Sequence, residues 1–173
     1  MKSDKAKCMG IKPLAEIVSM YQNNDGFHLS APDVSASGIS RLMSETIRLG
    51  GISADQVDFI NLHGTGTAYN DKIETKAIET VFGDRAHQIP VTSNKGSLGH
   101  LMGAAGMVET ISAIMSINSG VIPPTANLEE QDTELQLNVV KDAPLECDIR
   151  YALSNSFGFG GANSCVLLAK VDG

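Results

Sequence analysis

The sequence predicts an α/β layered domain: a mixed sheet of about five strands with helices on both sides, in the order β-α-β-α-β-α-β-β, with one further short strand. Three observations carry this. Short β-branched runs (Val57–Leu62, Ile89–Ser93, Ser164–Lys170) alternate with segments of helical period, each run ends at a polar or glycine-rich turn, and the 17 glycines stand against only 5% aromatic residues. The chain has 173 residues, 42% of them hydrophobic, with no apolar run long enough to span a bilayer, so one globular domain is expected and no membrane partner.

Residues 1–10 are polar and lysine-rich (Lys2, Lys5, Lys7) and read as a lead-in tail, with the domain proper over 11–173. Pro13–Tyr21 reads as a strand closed by the turn signal Asn23-Asn24-Asp25-Gly26, and a loop through His28 follows. From Ser35, Ile39, Leu42, Met43 and Ile47 recur at helical spacing until Gly50-Gly51 stops them. Ser53–Gln56 has capping-box form ahead of the Val57 strand. That strand runs into Asn61-Leu62-His63-Gly64-Thr65-Gly66-Thr67, a histidine followed by a small, hydroxyl-rich turn.

Asn70 or Asp71 caps a helix with the face Ile73, Ala77, Ile78, Val81 and Phe82, and by spacing alone Asp71 and Glu74 complement the positive end of its dipole. The Ile89 strand leads into Asn94-Lys95-Gly96-Ser97-Leu98-Gly99-His100. The helix from about Leu101 to Asn118 is apolar on nearly every side and is expected to be central and buried. Its carboxylate, Glu109, needs a partner to offset desolvation. Pro123-Pro124 and an acidic loop precede a Leu137–Val140 strand. Tyr151–Ser154 and Ser164–Lys170 are joined by a connection too rich in glycine for a plain hairpin.

The formal net charge of -7 with scattered basic residues gives no footprint for nucleic acid. Cys8, Cys147 and Cys165 are odd in number and lack C-x-x-C spacing, which favours a reducing, cytoplasmic setting. Ligands of parallel sheets bind beyond the carboxyl ends of strands, and parallel neighbours would bring His63, Lys95 with His100, and the Phe157–Gly161 loop to one rim. A metal centre is disfavoured by the histidine spacing, and a phosphate cradle by the missing G-x-G-x-x-G and P-loop patterns. Two imidazoles with glycine-turn amides suit oxyanion stabilisation in acyl transfer, a site that also needs a nucleophile.

His63–Thr67 with Asp71 and Glu74, Ser93–His100 with Gly103–Gly106, and Asn155–Asn163, in this order and spacing, resemble the C-terminal half of a β-ketoacyl-acyl carrier protein synthase of the elongating, 3-oxoacyl-ACP synthase II type, over about Gly10 to Lys170. The resemblance implies one half of a thiolase-like fold and decarboxylative Claisen condensation of malonyl-ACP with an acyl thioester in fatty acid or polyketide elongation. It makes His63 and His100 donors to the malonyl thioester carbonyl. Lys95 becomes the active-site lysine, in contact with the acidic turn around Asp71 and Glu74. Phe159 becomes the gating phenylalanine, its N–H completing an oxyanion hole, with Phe157 and Gly158 beside it on the substrate side. Thr65 and Thr67 would hold the phosphopantetheine arm. Asn61, Glu109, Ser154 and Asn155 fall where some members bind a structural monovalent cation, which would also be the partner of Glu109.

No catalytic metal or cofactor is implied beyond the phosphopantetheine of the acyl carrier protein, which is the expected partner. The family's nucleophilic cysteine belongs to the N-terminal half, so the chain is expected to be a fragment, inactive alone, that pairs with that half or with itself. A non-catalytic chain-length or carrier-binding subunit and one half of a split enzyme are the alternatives. Ala68-Tyr69-Asn70 replaces the family's proline-containing form and leaves the fatty acid and polyketide branches both open.

Overall fold

The computed structural model describes residues 1–171. In chain order the elements are α1 (Ser3–Cys8), β1 (Glu16–Asn24), α2 (Ser37–Leu49), β2 (Phe59–Asn61), α3 (Asn70–Phe82), β3 (Pro90–Thr92), α4 (Lys95–Leu98), α5 (Ala105–Ser119), β4 (Val121–Ile122), β5 (Asn138–Val139), β6 (Leu145–Glu146), β7 (Tyr151–Phe157) and β8 (Ala162–Ala169). Six strands form one mixed sheet in the order β1-β8-β7-β2-β3-β5, and β4 pairs with β6 in a separate two-stranded ribbon.

The centre of the sheet is parallel: β2 runs with β7 on one side and with β3 on the other, and β3 runs with β5. The other side is antiparallel, with β8 between β7 and β1. The carboxyl ends of β2, β3 and β7 therefore open on one edge. Alternation along the strands builds two cores. Ile60, Leu153 and Leu167 face α2 and α3 with Leu42, Met43, Ile47, Ile73 and Ile78, while Phe59, Ala152 and Leu168 face α5 with Ala113 and Ile117.

Several expectations change in detail. Residues Ser3–Cys8 of the lead-in form a short helix. The first strand begins at Glu16 and runs through Asn23 and Asn24, because both pair with β8 and their amides are used across the fold: Asn23 donates to the Gly38 carbonyl and Asn24 to the Gly160 carbonyl, each at 2.7 Å. The turn starts only at Asp25. β7 continues three residues beyond Ser154, so that β7 and β8 form an antiparallel pair joined through residues 158–161.

The largest correction concerns α5, which is buried on one side only. Ala105, Glu109, Ala113, Ser116 and Ile117 face the sheet, but Met107, Ile111 and Met115, spaced four apart, are exposed. A helix apolar on every side needs cover on two faces. Here the sheet supplies one.

Candidate active site

The rim is built by Glu74 as much as by the strands. Its carboxylate, in the second turn of α3, accepts the backbone N–H of His63 at 3.0 Å and of Gly64 at 2.9 Å, and the Asn155 amide at 3.2 Å. Complementing the helix dipole is thus not its main part; it closes the turn after β2. Burial pushes the Glu74 carboxyl up to about 7, against those three donors and with Asp71 adding to the rise. Gly64, at φ +41, brings its carbonyl to the Ser93 hydroxyl, which donates at 2.7 Å. A Cβ there would sit 2.7 Å from Ser93 Cβ, so the close approach of the β2 and β3 ends requires glycine.

His63 and His100 come together with ring centroids 5.6 Å apart in an edge-on arrangement, and Phe157 lies 5.2 Å from His63. His63 is 5% exposed, and its Nδ1 is buried without a partner among the described residues. Burial, then Lys95 and His100, lower its pKa to about 3, so the imidazole is neutral at physiological pH. The exposed His100 accepts the Met102 N–H on Nδ1 at 3.1 Å, which assigns its ring N–H to Nε2.

Lys95 lies beside them and its ammonium is bound to the His63 carbonyl and to the Glu109 carboxylate, with only 7% and 4% of the two side chains exposed. The buried carboxylate thus has a partner in Lys95. The expected contact of Lys95 with Asp71 and Glu74 is not made: Glu74 serves the His63 turn, and Asp71 accepts the Asn70 amide at 2.9 Å. Lysine and histidine are coupled through one carbonyl.

Thr65 and Thr67 join hydroxyls at 2.9 Å on the wall of a cleft of ≈ 560 Å³ that also reaches Lys95, His100 and the Thr125–Leu128 segment. Gly96 allows that segment to close in: a Cβ on it would fall 2.1 Å from the Ala126 carbonyl oxygen, and Asn127 donates to the Gly96 carbonyl at 2.8 Å. Thr125 and Asn127 shape the cleft without any signal in residue spacing. Phe159 stands 83% exposed, its N–H making no hydrogen bond among the described residues, between Gly158, which donates to the Ala162 carbonyl at 2.7 Å, and Gly160.

The four residues suggested for a monovalent cation divide between the two faces of the sheet. Asn61 and Ser154 are register partners on the α5 face, where the Asn61 amide donates to the Glu109 carbonyl at 3.2 Å. Asn61 Oδ1 and Ser154 Oγ are buried and unpartnered among the described residues, and two orphaned hard oxygens next to Glu109, whose backbone carbonyl accepts the Asn61 amide, fit a small monovalent ion. The Asn155 side chain does not share that place. The next residue along β7 points to the other face, where its amide is bound to Glu74.

None of the three cysteines lies on this rim. Cys8 is exposed near the amino end, Cys147 follows the β4–β6 ribbon with its thiol pushed up by burial and by Asp58 and Asp148, and Cys165 is buried in β8 with its thiol pushed up to about 12. A high thiol pKa is the reverse of what an acyl-accepting thiolate needs.

Residues 14–129 match the family described as beta-ketoacyl synthase, C-terminal domain. The chain belongs to the β-ketoacyl synthase family. Over 157 residues, 91% of the chain, this synthase domain is 40% identical to the 3-oxoacyl-[acyl-carrier-protein] synthase 2 of Coxiella burnetii, and it covers 38% of that protein. Among solved structures it is similar to a type II polyketide ketosynthase in complex with its acyl-carrier protein (TM-score 0.96, 29% identity, 99% of this chain and 42% of that one). It is also similar to the ishigamide ketosynthase/chain length factor (0.93, 35%, 98% and 41%). The synthase domain thus spans about two fifths of the length of the relatives it matches. Its mixed α/β fold is theirs, and among its described residues no helix is long and apolar enough to cross a membrane.

Proposed function

We propose that this chain supplies the oxyanion-binding and decarboxylating side of a β-ketoacyl-ACP synthase site, for condensation of malonyl-ACP with an acyl thioester. The observation that carries the reading is the pairing of neutral His63 with His100 at 5.6 Å, next to the buried Lys95. Two imidazoles this close can both donate an N–H to one thioester carbonyl oxygen. As the carboxylate leaves as carbon dioxide, the electron pair of the broken bond passes into the enolate, whose oxygen those donors hold. The enolate carbon then attacks the acyl thioester carbonyl, and the acyl group's thiolate departs. Lys95, bound to the His63 carbonyl, fixes that histidine in place, and burial together with the positive charge of Lys95 holds the ring neutral.

The thiolate that carries the acyl group comes from outside this chain, since its own cysteines lie away from the rim. The substrates arrive on the phosphopantetheine of an acyl carrier protein, along the Thr65–Thr67 wall, and no other cofactor is used. Phe159 gates the entry, and its free N–H adds a donor for the acyl carbonyl. Asn61, Ser154 and Glu109 would hold a structural monovalent cation, which would supply positive charge to their oxygens. The polypeptide that brings the nucleophile covers the Met107, Ile111 and Met115 face of α5; in its absence that face drives self-association.

A non-catalytic role finds support in the likeness to a ketosynthase/chain length factor, but the retained His63, Lys95 and His100 favour chemistry. The experiment is to incubate the purified chain with acyl and malonyl carrier protein, alone and with a separately expressed N-terminal half of a relative. Condensation only in the mixture supports the proposal. Acylation of Cys8, Cys147 or Cys165 in the chain alone would overturn it.

A further inference from the structure

The turn that carries Phe159 has little stiffness of its own beyond the bond from the Gly158 N–H to the Ala162 carbonyl at 2.7 Å. Gly160 and Gly161 follow it at φ +75 and +73, conformations that glycine adopts at little cost, and Phe159 itself is exposed. Its conformation is imposed from the loop after β1 by three hydrogen bonds. Gly160 donates its N–H to the Leu29 carbonyl at 2.7 Å, the Asn24 amide donates to the Gly160 carbonyl at 2.7 Å, and Asp25 donates its N–H to the Gly161 carbonyl at 2.9 Å.

Asn24 ends β1 and is held by the sheet, and Asp25 follows it directly. Leu29 has no such anchor, for its side chain is 84% exposed and cannot fix the backbone by packing. What holds it is its neighbour. His28 Nδ1 accepts the backbone N–H of Ser30 and of Ala31, each at 3.2 Å, folding the chain tightly around Leu29 and aiming its carbonyl at Gly160. A ring nitrogen accepts only when it bears no proton, so these bonds assign the ring N–H to Nε2.

We propose that His28 is a positioning residue for the Phe159 turn: its Nδ1 clamps residues 28–31 and thereby presents the Leu29 carbonyl that holds Gly160. The consequence for substrate entry rests on the reading of Phe159 as the gate. The mechanical link between His28 and Gly160 does not.

Two substitutions separate the acceptor from the ring. In His28→Asn the amide Oδ1 stands one bond beyond Cγ, as Nδ1 does, and accepts the N–H two residues on, as asparagine does in Asx turns. In His28→Phe the ring stays and the acceptor is lost. Amide hydrogen exchange, resolved by NMR on the full chain, is expected to speed up at Gly160 by about five- to tenfold in His28→Phe, the effect of losing roughly one hydrogen bond. His28→Asn is expected to exchange like the unsubstituted chain, with Leu167 in β8 unchanged in both. His28→Ala should repeat the result of His28→Phe. Unchanged Gly160 exchange in the Phe and Ala variants, equal acceleration in His28→Asn, or acceleration at Leu167 as large as at Gly160 would each overturn the proposal. Failure of condensation in the mixed assay leaves this readout untouched, so the two readings fail separately.

Discussion

Glu74 accepts the backbone N–H of His63 at 3.0 Å, so the carboxylate of α3 and the imidazole at the end of β2 share one turn and have opposite electrostatic fates. Burial raises Glu74 from 4.5 to about 7 and lowers His63 from 6.5 to about 3. Between pH 4.5 and 7 the folded chain keeps a proton on Glu74 that the unfolded chain has lost, so this group makes stability fall as pH rises, by on the order of 3 kcal/mol across the window. Between pH 3 and 6.5 the unfolded chain holds a proton that His63 lacks when folded, so His63 makes stability rise with pH. Denaturant titrations of Glu74→Gln are expected to gain on the unsubstituted chain from pH 4.5 to 7, and those of His63→Asn to lose ground from pH 3 to 6.5. Parallel pH profiles would contradict both assignments.

Lys95→Met strands the buried carboxylate of Glu109 and is expected to destabilise the fold by about 3–5 kcal/mol, with Glu109→Gln in the same direction. The double substitution to two apolar residues should cost less than the sum of the two. Because Lys95 is the second cause of the low His63 pKa, an NMR titration of Lys95→Met should show His63 moving up from about 3.

Potassium, compared with tetramethylammonium at equal ionic strength, is expected to raise the melting temperature, by the equivalent of about 2.7 kcal/mol at a hundredfold excess over Kd. Asn61→Leu and Ser154→Ala should abolish the response, because they remove the two orphaned oxygens. Asn155→Ala should keep the response, since its side chain lies on the other face.

Gly96→Ala drives a methyl group into the Ala126 carbonyl and is expected to cost about 1–3 kcal/mol while displacing the Thr125–Leu128 wall of the cleft. Gly103→Ala, which meets nothing within 4 Å and lies outside the positive-φ set, is the control and should be near neutral. Calorimetry of the pair checks the difference.

The site was legible in the sequence wherever a strand ended. The β-branched runs before His63 and before Asn94 marked carboxyl ends, and the parallel arrangement of β2, β3 and β7 follows from their helical crossovers. Glu109 was legible as a charge in need of a partner, but Lys95 lies fourteen residues away on another element, and only the placement of α4 against α5 joins them. The direction of the Asn155 side chain was hidden by parity: with the strand read as ending at Ser154, the alternation that sends it to Glu74 had no purchase. Hydropathy could not distinguish a covered α5 from one covered on a single side, because Met107 and Ile111 look the same in either setting. The hold of Asn24 and Leu29 on the Phe159 turn rests on pairing between segments more than 130 residues apart, which no local pattern records.

The most direct test of the account is the condensation rate of His63→Ala, His100→Ala and the double variant, each combined with the nucleophile-bearing half and acyl and malonyl carrier protein. Each single loss of an oxyanion donor is expected to lower the turnover by about 10²–10³-fold with acylation of the partner's thiol preserved, and the double variant should fall further. Condensation at the unsubstituted rate in either single variant would contradict the claim that the two imidazoles together bear the enolate charge.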